Sequence, residues 1–558
     1  MDPSQNNLSF NQSLHKLVYL HYCFVNRINP SRGRRRKKKK KKNEFLYHLS
    51  SIYMKLQNSL NKVSSPVSRS YCYLNRSTIF ALSTPPGVSA IAVVRISGPH
   101  ALNVLLKMGK LTDPPPARKA ILCKLRDPET GELLDKALTL WFPSPNSFTG
   151  EDSCELHIHG GTAVIKSVLT ALSKLQQFRF AEPGEFTKRA FLAGKLDLTE
   201  VEALADLLNA ETEGQQRQAL RQMEGALFKL YSDWSGRLKQ ILASLEAYID
   251  FSEDQHLDDS IFITVNHDLA SLKKKISLHL TDERRGEKVR NGVNVVLIGK
   301  PNVGKSSLMN NLCKRDIAIV SSHAGTTRDI IESSLNLGGY LVSLCDTAGI
   351  RETCNSVEEE GVRRAKDRSS KADLLLFIIE AERAVTLYKS YSGIEKDFKN
   401  YLLTEDLGID FVKENYLDGL SDNKSCPSVF ILLNKRDLLK PDDLQVISEI
   451  EESVPLACSI SCTDGNGMET FVTLFSNSIK EICCSHSGEE PAITQQRHRH
   501  HLEKCLQYII EYENAIEMDI AIAADYLRNA MNELGKITGR VRVEDILDIV
   551  FQRFCIGK

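Results

Sequence analysis

No stretch of about 18 or more uninterrupted apolar residues occurs in this 558-residue chain, so no part of it is expected to span a bilayer as a helix. No CxxC pair occurs either. The fourteen cysteines are scattered without metal-ligand spacing, which argues against a disulfide framework and suits a reducing compartment where thiols act as small buried hydrophobes. Neither sign of charge is in excess: the formal net charge of +1 says little, because the charge is unevenly spread. Acids are nearly missing from the first seventy-odd residues, where only Asp2 and Glu44 occur among abundant Ser, Asn, Arg and Lys. Residues 1–76 therefore resemble an organellar transit peptide, mitochondrial in preference to chloroplast, and are left out of fold reasoning. Nine successive cations from Arg34 to Lys42 repel one another and predict a disordered segment. A nuclear or nucleic-acid-binding patch and a plain solvated tail are the competing readings of that run.

What remains is too long for one core, and the 42% hydrophobic and 26% charged fractions of the whole sequence are those of a globular protein. Residues 77–196 read as a small α+β domain. Ile91 to Ile96 form a short apolar run expected to be a buried strand, Ala137 to Phe142 and Cys154 to His159 further strands, and Val164 to Leu175 a helix. Residues 197–290 read as helical. Thr199 with Glu202 suggests a capping box opening a helix that buries Val201, Leu204, Leu207 and Leu208. One longer amphipathic stretch follows, through Leu220, Met223, Leu227, Leu230, Leu238, Ile241, Leu245 and Tyr248. Residues 291–485 alternate strands and helices, the mark of a parallel α/β sheet. Helical spacing returns over 486–558, at Leu502, Leu506 and Ile509, around Leu527 and Leu534, then at Ile546, Ile549 and Val550. The fold class is multidomain α/β and α: an N-terminal α+β domain and an all-helical domain in two parts, with the α/β domain inserted between them. Residues 384–426 read as a polar, irregular insertion with no assigned function.

The chemistry-bearing motifs lie in the inserted domain. After the apolar run Val293 to Ile298 comes Gly299-Lys300-Pro301-Asn302-Val303-Gly304-Lys305-Ser306-Ser307, a GxxxxGK[ST] phosphate loop between strand and helix. Its amides can curl around phosphates, Lys305 supplies charge, and Ser306 reaches Mg²⁺. A second strand ends in Asp346-Thr347-Ala348-Gly349, placing Asp346 near the metal and Gly349 at the γ-phosphate. A third ends in Asn434-Lys435-Arg436-Asp437, where Asp437 can accept from guanine N1 and N2; adenine lacks that donor pair. Thr326 and Thr327, in Gly325-Thr326-Thr327-Arg328-Asp329, stand where a first switch belongs, and Ser461-Cys462-Thr463 matches the last base-contacting loop. Five elements in order mark a GTP site. Cys345 and Cys462 read as buried packing residues, and Arg328 as a salt-bridge residue. The position after Gly349 is Ile350, which cannot orient water, so another group must do so. Glu358, Glu359 and Glu360 are candidates, with a solvated helix start as the alternative. Asn302 could give an oxygen to a monovalent cation beside the phosphates.

Seven further segments carry a resemblance: Thr84-Pro85-Pro86-Gly87, Val94-Arg95-Ile96-Ser97-Gly98, Asn146 to Asp152 (NSFTGED), His159-Gly160-Gly161, Pro183 to Thr187 (PGEFT), Lys195-Leu196-Asp197-Leu198 and the terminal Phe554-Cys555-Ile556-Gly557-Lys558. In order and with the GTPase motifs between them, they resemble the tRNA modification GTPase MnmE/TrmE family from about residue 77 to the last residue. The resemblance implies a homodimer formed through N-terminal tetrahydrofolate-binding domains, with GTPase domains that meet across K⁺. It implies K⁺ ligands in Asn302, Ser321, His323 and Thr326, Mg²⁺ ligands in Ser306 and Thr327, and Glu358 as the residue orienting water. Arg95, Glu155, Lys195 and Lys558 would bind a reduced folate, the one-carbon donor, although Arg95 and Lys195 could simply pair with surface acids. Cys555 would join the modification chemistry or be core. The implied partner is the FAD-binding MnmG (GidA), and the implied product an aminomethyl-type group (carboxymethylaminomethyl or taurinomethyl) on C5 of wobble uridine in tRNA. Glu380, after the strand Leu374 to Ile379, departs from the Asp of many relatives.

Two rivals remain. A ribosome-assembly or RNA-binding GTPase usually carries a KH-like module with a GxxG loop, and none is found after residue 485. A GTP-regulated scaffold has no need of Lys305, Ser306, Thr327 and Asp346 together.

Overall fold

The computed structural model describes residues 77–251, 260–315, 332–346, 372–391, 398–407, 428–484, 491–541 and the single positions 550, 551, 554, 555 and 557. The basic leader, with its Arg34 to Lys42 run, lies outside them, as do Ile546 and Ile549.

The first sheet holds β1 (Thr78–Leu82), β2 (Ser89–Ser97), β3 (Ile121–Arg126), β4 (Leu133–Phe142), β5 (Ser153–Gly160) and β6 (Phe178–Phe180) in the order β3-β4-β5-β2-β1-β6. Its pairs are antiparallel apart from β1 with β6. Helices α1 (Ala101–Lys107) and α2 (Thr162–Ser173) cover one face, where Phe80, Val94, Ile96, Trp141, Cys154 and Leu156 meet Val104, Leu105, Val168 and Leu172. Side chains alternate along a strand, and the other face is covered at β1, where Ile79 and Ala81 meet Ala181 and Phe186, but is more open over β2 to β5. Ile91 to Ile96 is thus a half-buried strand and not a fully buried one: Ile91 is exposed, and Val93 and Arg95 are half-buried on the open face.

Helices α3 (Glu185–Leu192), α4 (Leu198–Leu208), α5 (Glu213–Met223), α6 (Ala226–Phe251), α7 (Ser260–Leu280) and α8 (Arg285–Asn291) follow. The cap of α4 lies two residues earlier than the Thr199 reading: Asp197 accepts from the Thr199 and Glu200 amides, and Glu200 accepts from the Asp197 amide. Glu202 is thereby freed to turn inward, while Leu207 is half-buried and Leu208 exposed. The long amphipathic stretch is two helices. Gly225, at φ +77°, breaks it between α5 and α6 and leaves Leu220 on the surface.

The second sheet comprises β7 (Val293–Ile298), β8 (Glu332–Leu337), β9 (Tyr340–Asp346), β10 (Leu374–Glu380), β11 (Ser428–Asn434) and β12 (Ala457–Ser459), ordered β12-β11-β10-β7-β9-β8 and parallel except for β8 with β9. One face packs on α9 (Lys305–Cys313) and α13 (Met468–Cys483), the other on α10 (Ala381–Ser390), α11 (Phe398–Leu407) and α12 (Pro441–Ser453). The segment read as irregular from residue 384 therefore begins as core-forming helix. Ala384, Val385, Leu387, Phe398, Leu402 and Leu403 are all buried against the sheet, each large aliphatic among them contributing about 1.5–3 kcal/mol. Residues 408–427 lie outside the described set.

Helices α14 (Gln496–Ala515) and α15 (Ile520–Thr538) close the helical part, packing Leu502, Ile509, Leu527 and Leu534 against Leu238, Leu245, Leu269 and Leu272 of α6 and α7. The junction is charged as well as apolar. Arg497 makes a two-pronged contact with buried Glu202, 3.0 Å on each prong, and donates to the Lys536 and Ile537 carbonyls. His498 reaches the same carboxylate at 2.7 Å. Arg499 holds Asp282 and Glu287 at the turn into α8.

Acid is expected to loosen this junction. Burial pushes His279 down to about 4, with the Tyr231 hydroxyl its neighbour at 3.2 Å. Burial would raise Glu202, but the adjoining Arg497 guanidinium outweighs it and holds the carboxyl at about 2. Between pH 6.5 and about 4 the unfolded chain binds the proton that folded His279 refuses, so stability falls with pH by roughly 3 kcal/mol. Below about pH 4.5 Glu202 adds a second loss. Urea titrations across this range should show the slope become shallower in His279→Gln; an unchanged slope would count against the assignment.

Candidate functional site

The phosphate loop leaves the end of β7 and enters α9 at Lys305, with Gly304 as the residue before the helix. No side chain caps that end, so the first amides of α9 point at whatever anion the loop encloses. Gly304 has φ +100°, and a Cβ there would stand 2.1 Å from Asn434 Nδ2, so only glycine fits. Asn302 also lies in the left-handed region, at φ +65°, which asparagine tolerates. Lys305 is buried; its Nζ donates to the carbonyls of Gly299 (2.7 Å) and Lys300 (2.9 Å) and sits inside the loop, on the side where phosphate oxygens would bind. Val303 is buried in the core, while Asn302, Ser306 and Ser307 are exposed at the rim.

The base side is stitched to this loop by one residue. Asn434 is buried; its Nδ2 donates to the Val303 carbonyl at 2.7 Å and its Oδ1 accepts from the Cys462 amide at 3.3 Å. Ser461, also buried, accepts from the Thr463 and Asp464 amides and so shapes the last loop. Lys435 turns the chain at φ +63° and pairs with Glu380, leaving Asp437 exposed with its carboxylate open to a base. Cys345 and Cys462 are half-buried against the core, and burial pushes the Cys462 thiol up to about 11, which suits packing rather than nucleophilic chemistry. Asp346 ends β9 opposite Leu297 of β7. Ser321, His323, Gly325, Thr326, Thr327, Thr347, Ala348, Gly349, Glu358 and Lys558 lie outside the described residues, so of the proposed Mg²⁺ ligands the structure positions Ser306 alone.

A second constellation occupies the open face of the first sheet. Arg95 of β2 and Glu155 of β5 are register partners, and their side chains pair at 3.0 Å. Phe148 lies 5.3 Å from the Arg95 guanidinium, and the same loop reaches Lys195, whose Cε would be 3.4 Å from a Cβ on Gly150. His157 stands on the same face, 3.5 Å from Glu155, and its Nε2 is shielded from solvent without a hydrogen-bond partner. The C-terminal tail arrives here too. Phe551 and Phe554 pack with Phe191, Leu198 and Val201, and the Ser83 hydroxyl donates to the Gly557 carbonyl at 3.0 Å. Ser83 in turn donates its amide to Val93, two residues from Arg95. Cys555 is exposed and so is not core. A partly exposed cation and carboxylate beside an aromatic ring suit a flat ligand bearing carboxylates and ring donors. His157 and Ser83 were not singled out by motif; strand alternation from Glu155 is the signal that would have found His157.

Removing the Asn434 amide should separate the two nucleotide loops. Asn434→Ala is expected to weaken guanine nucleotide binding by about 1–3 kcal/mol, read by titration with a fluorescent GDP; affinity equal to the wild type would refute the bridging role.

The chain matches two family models: GTP-binding protein TrmE N-terminus over residues 78–195, and MnmE helical domain over residues 198–555. Among similar proteins is the zebrafish (Danio rerio) 5-taurinomethyluridine-[tRNA] synthase subunit GTPB3, mitochondrial, 46% identical across 88% of this chain and 96% of that protein. The human (Homo sapiens) protein of the same name is 43% identical across 86% and 93%. The tRNA modification GTPase MnmE of Parvibaculum lavamentivorans is 44% identical across 86% of this chain and its own full length. With a phosphate loop, a guanine-reading loop and both family models on one chain, this protein belongs to the MnmE/TrmE family of tRNA modification GTPases.

Proposed function

We propose that this protein is a K⁺-dependent GTPase that acts in modification of the wobble uridine of tRNA, with a reduced folate as one-carbon donor and an FAD-binding MnmG (GidA)-type protein as partner. The observation that carries this reading is the seating of Gly557, from the terminal FCIGK motif, against Leu82 and Ser83 of the N-terminal domain, next to the strand that carries Arg95 of the Arg95–Glu155 pair. A generic GTPase has no use for that junction. The relatives named taurinomethyluridine synthase subunits, mitochondrial, favour taurinomethyl as the product and the mitochondrion as the location. No described helix is long and apolar enough to cross a membrane.

Within the nucleotide site, Lys305, steadied by its two carbonyl acceptors, donates to phosphate oxygens, the amides of α9 take the remaining charge, and Asp437 reads the base. Ser306 and Thr327 hold Mg²⁺, which would offset phosphate charge. Asn302, exposed at the loop's rim, would hold K⁺ together with Ser321, His323 and Thr326, and the charge of K⁺ would do the work of an arginine finger. Glu358 orients the attacking water. On the first sheet Arg95 and Lys195, with Lys558, bind carboxylates of the folate, and Glu155 accepts from its pterin. Dimerisation through this domain is supported by its open sheet face, where the register partners Leu122 (74% exposed) and Leu138 (41% exposed) leave apolar surface uncovered.

Hydrolysis of GTP by the protein in matched K⁺ and Na⁺ buffers tests this. Stimulation by K⁺ of about tenfold or more, equal to about 1.4 kcal/mol of barrier, is expected, and Asn302→Ala should abolish it. Equal rates in the two salts would overturn the cation mechanism.

A further inference from the structure

We propose that α10 and α11, with Glu380 ahead of the first and Asp406 in the second, brace the nucleotide loops, and that Asp406 is a positioning residue for nucleotide binding. The inference uses the phosphate loop already described but concerns residues outside its motif.

Lys300 is a variable position of GxxxxGKS, so phosphate chemistry does not specify its side chain. Its ammonium leaves the loop and pairs with Asp406 Oδ1 on α11. The Asp406 side chain is 1% exposed, and its second oxygen has no hydrogen-bond partner. A carboxylate buried this way costs stability, and its place in the last turn of α11 sets it against the helix dipole. Stability therefore does not account for it. What it does hold is the loop. Lys300 offers its carbonyl to Lys305 Nζ, so fixing the Lys300 side chain fixes one of the two acceptors on which Lys305 rests.

The arrangement repeats ahead of α10. Glu380, the last residue of β10, pairs with Lys435, which lies between Asn434 and Asp437 in the base-reading loop. Between these acids, Ala384, Val385, Leu387, Phe398, Leu402 and Leu403 fasten α10 and α11 to the sheet. The sheet-bound helices α10 and α11, with Glu380 before the first and Asp406 in the second, thus hold a lysine of the phosphate loop and a lysine of the base loop. Neither grip touches the reacting phosphorus, and both nucleotides carry the β-phosphate that Lys305 reaches, so the brace acts on GDP as well as GTP and changes binding rather than the chemical step.

Titration with fluorescent GDP and a GTP analogue, steady-state GTP hydrolysis and thermal melting of the full chain test this. Asp406→Asn keeps the shape and removes the charge. We expect affinity for both nucleotides to fall together by about tenfold, with KM rising in step, kcat at saturating GTP little changed and the melting midpoint not lowered. Lys300→Gln, at a side chain half in solvent, should weaken binding likewise, and the double variant should be no weaker than Asp406→Asn alone. Wild-type affinity in both single variants, a loss that tracks a lower melting midpoint, or additive losses in the double variant would each overturn the proposal.

Discussion

The two-pronged contact between Glu202 and Arg497, shared by His498, joins stretches of chain separated by almost three hundred residues. Everything between them includes the whole nucleotide-binding sheet. A helical unit made from two such distant pieces must meet the cost of closing that loop, and apolar helix faces alone are poor at choosing one register. A buried carboxylate that only one guanidinium can satisfy supplies the choice, because any slip leaves a charge unpaired in the core. With α14 and α15 seated in this way, Phe551 and Phe554 lie against Phe191 and Leu198, and Gly557 meets Ser83, so described residues near the C-terminus come to lie on the N-terminal domain.

The same end of α14 also holds the GTPase unit. Arg499 grips Asp282 and Glu287, and α8 continues directly into β7, the strand that carries the phosphate loop. From the other side Gln218 donates to the Gly286 carbonyl, Gln215 to the Arg290 carbonyl, and Arg290 pairs with Asp206. The Gly214 amide meets the Gly339 carbonyl in the β8–β9 turn. The run Arg497-His498-Arg499-His500-His501 is cationic in sequence, yet Arg497, His498, Arg499 and His501 spend their polar groups inside the protein, on Glu202, Asp282, Glu287 and Glu533. It is a joint and not a nucleic-acid patch.

How much of this could be read in the sequence depended on the range of the interaction. The phosphate loop, the base loop and the strands before them were legible because each motif is contiguous and its chemistry is local. The insertion of the α/β domain was legible because period changes are local too. Short-range competition misled in two places: Asp197 took the cap from Thr199, and Gly225 split a continuous apolar stripe. The segment after residue 384 was misread for another reason. Its polar positions are conspicuous, while the core-forming Ala384, Val385, Leu387, Phe398, Leu402 and Leu403 are interleaved among them. Partners far apart in sequence, such as Glu202 with Arg497 or Asp406 with Lys300, leave no local signal at all.

The central claim is that this closure makes the two ends of the chain into one site. Gly557 tests it most directly, because its φ is +100° and a Cβ there would stand 2.3 Å from the Leu82 carbonyl. Calorimetric titration of a reduced folate into the wild type and Gly557→Ala, with GDP titrated in parallel, separates the ends from the middle. The account predicts folate binding weakened by about tenfold or more in Gly557→Ala, with GDP affinity unchanged. Equal folate affinity in the two proteins would contradict it.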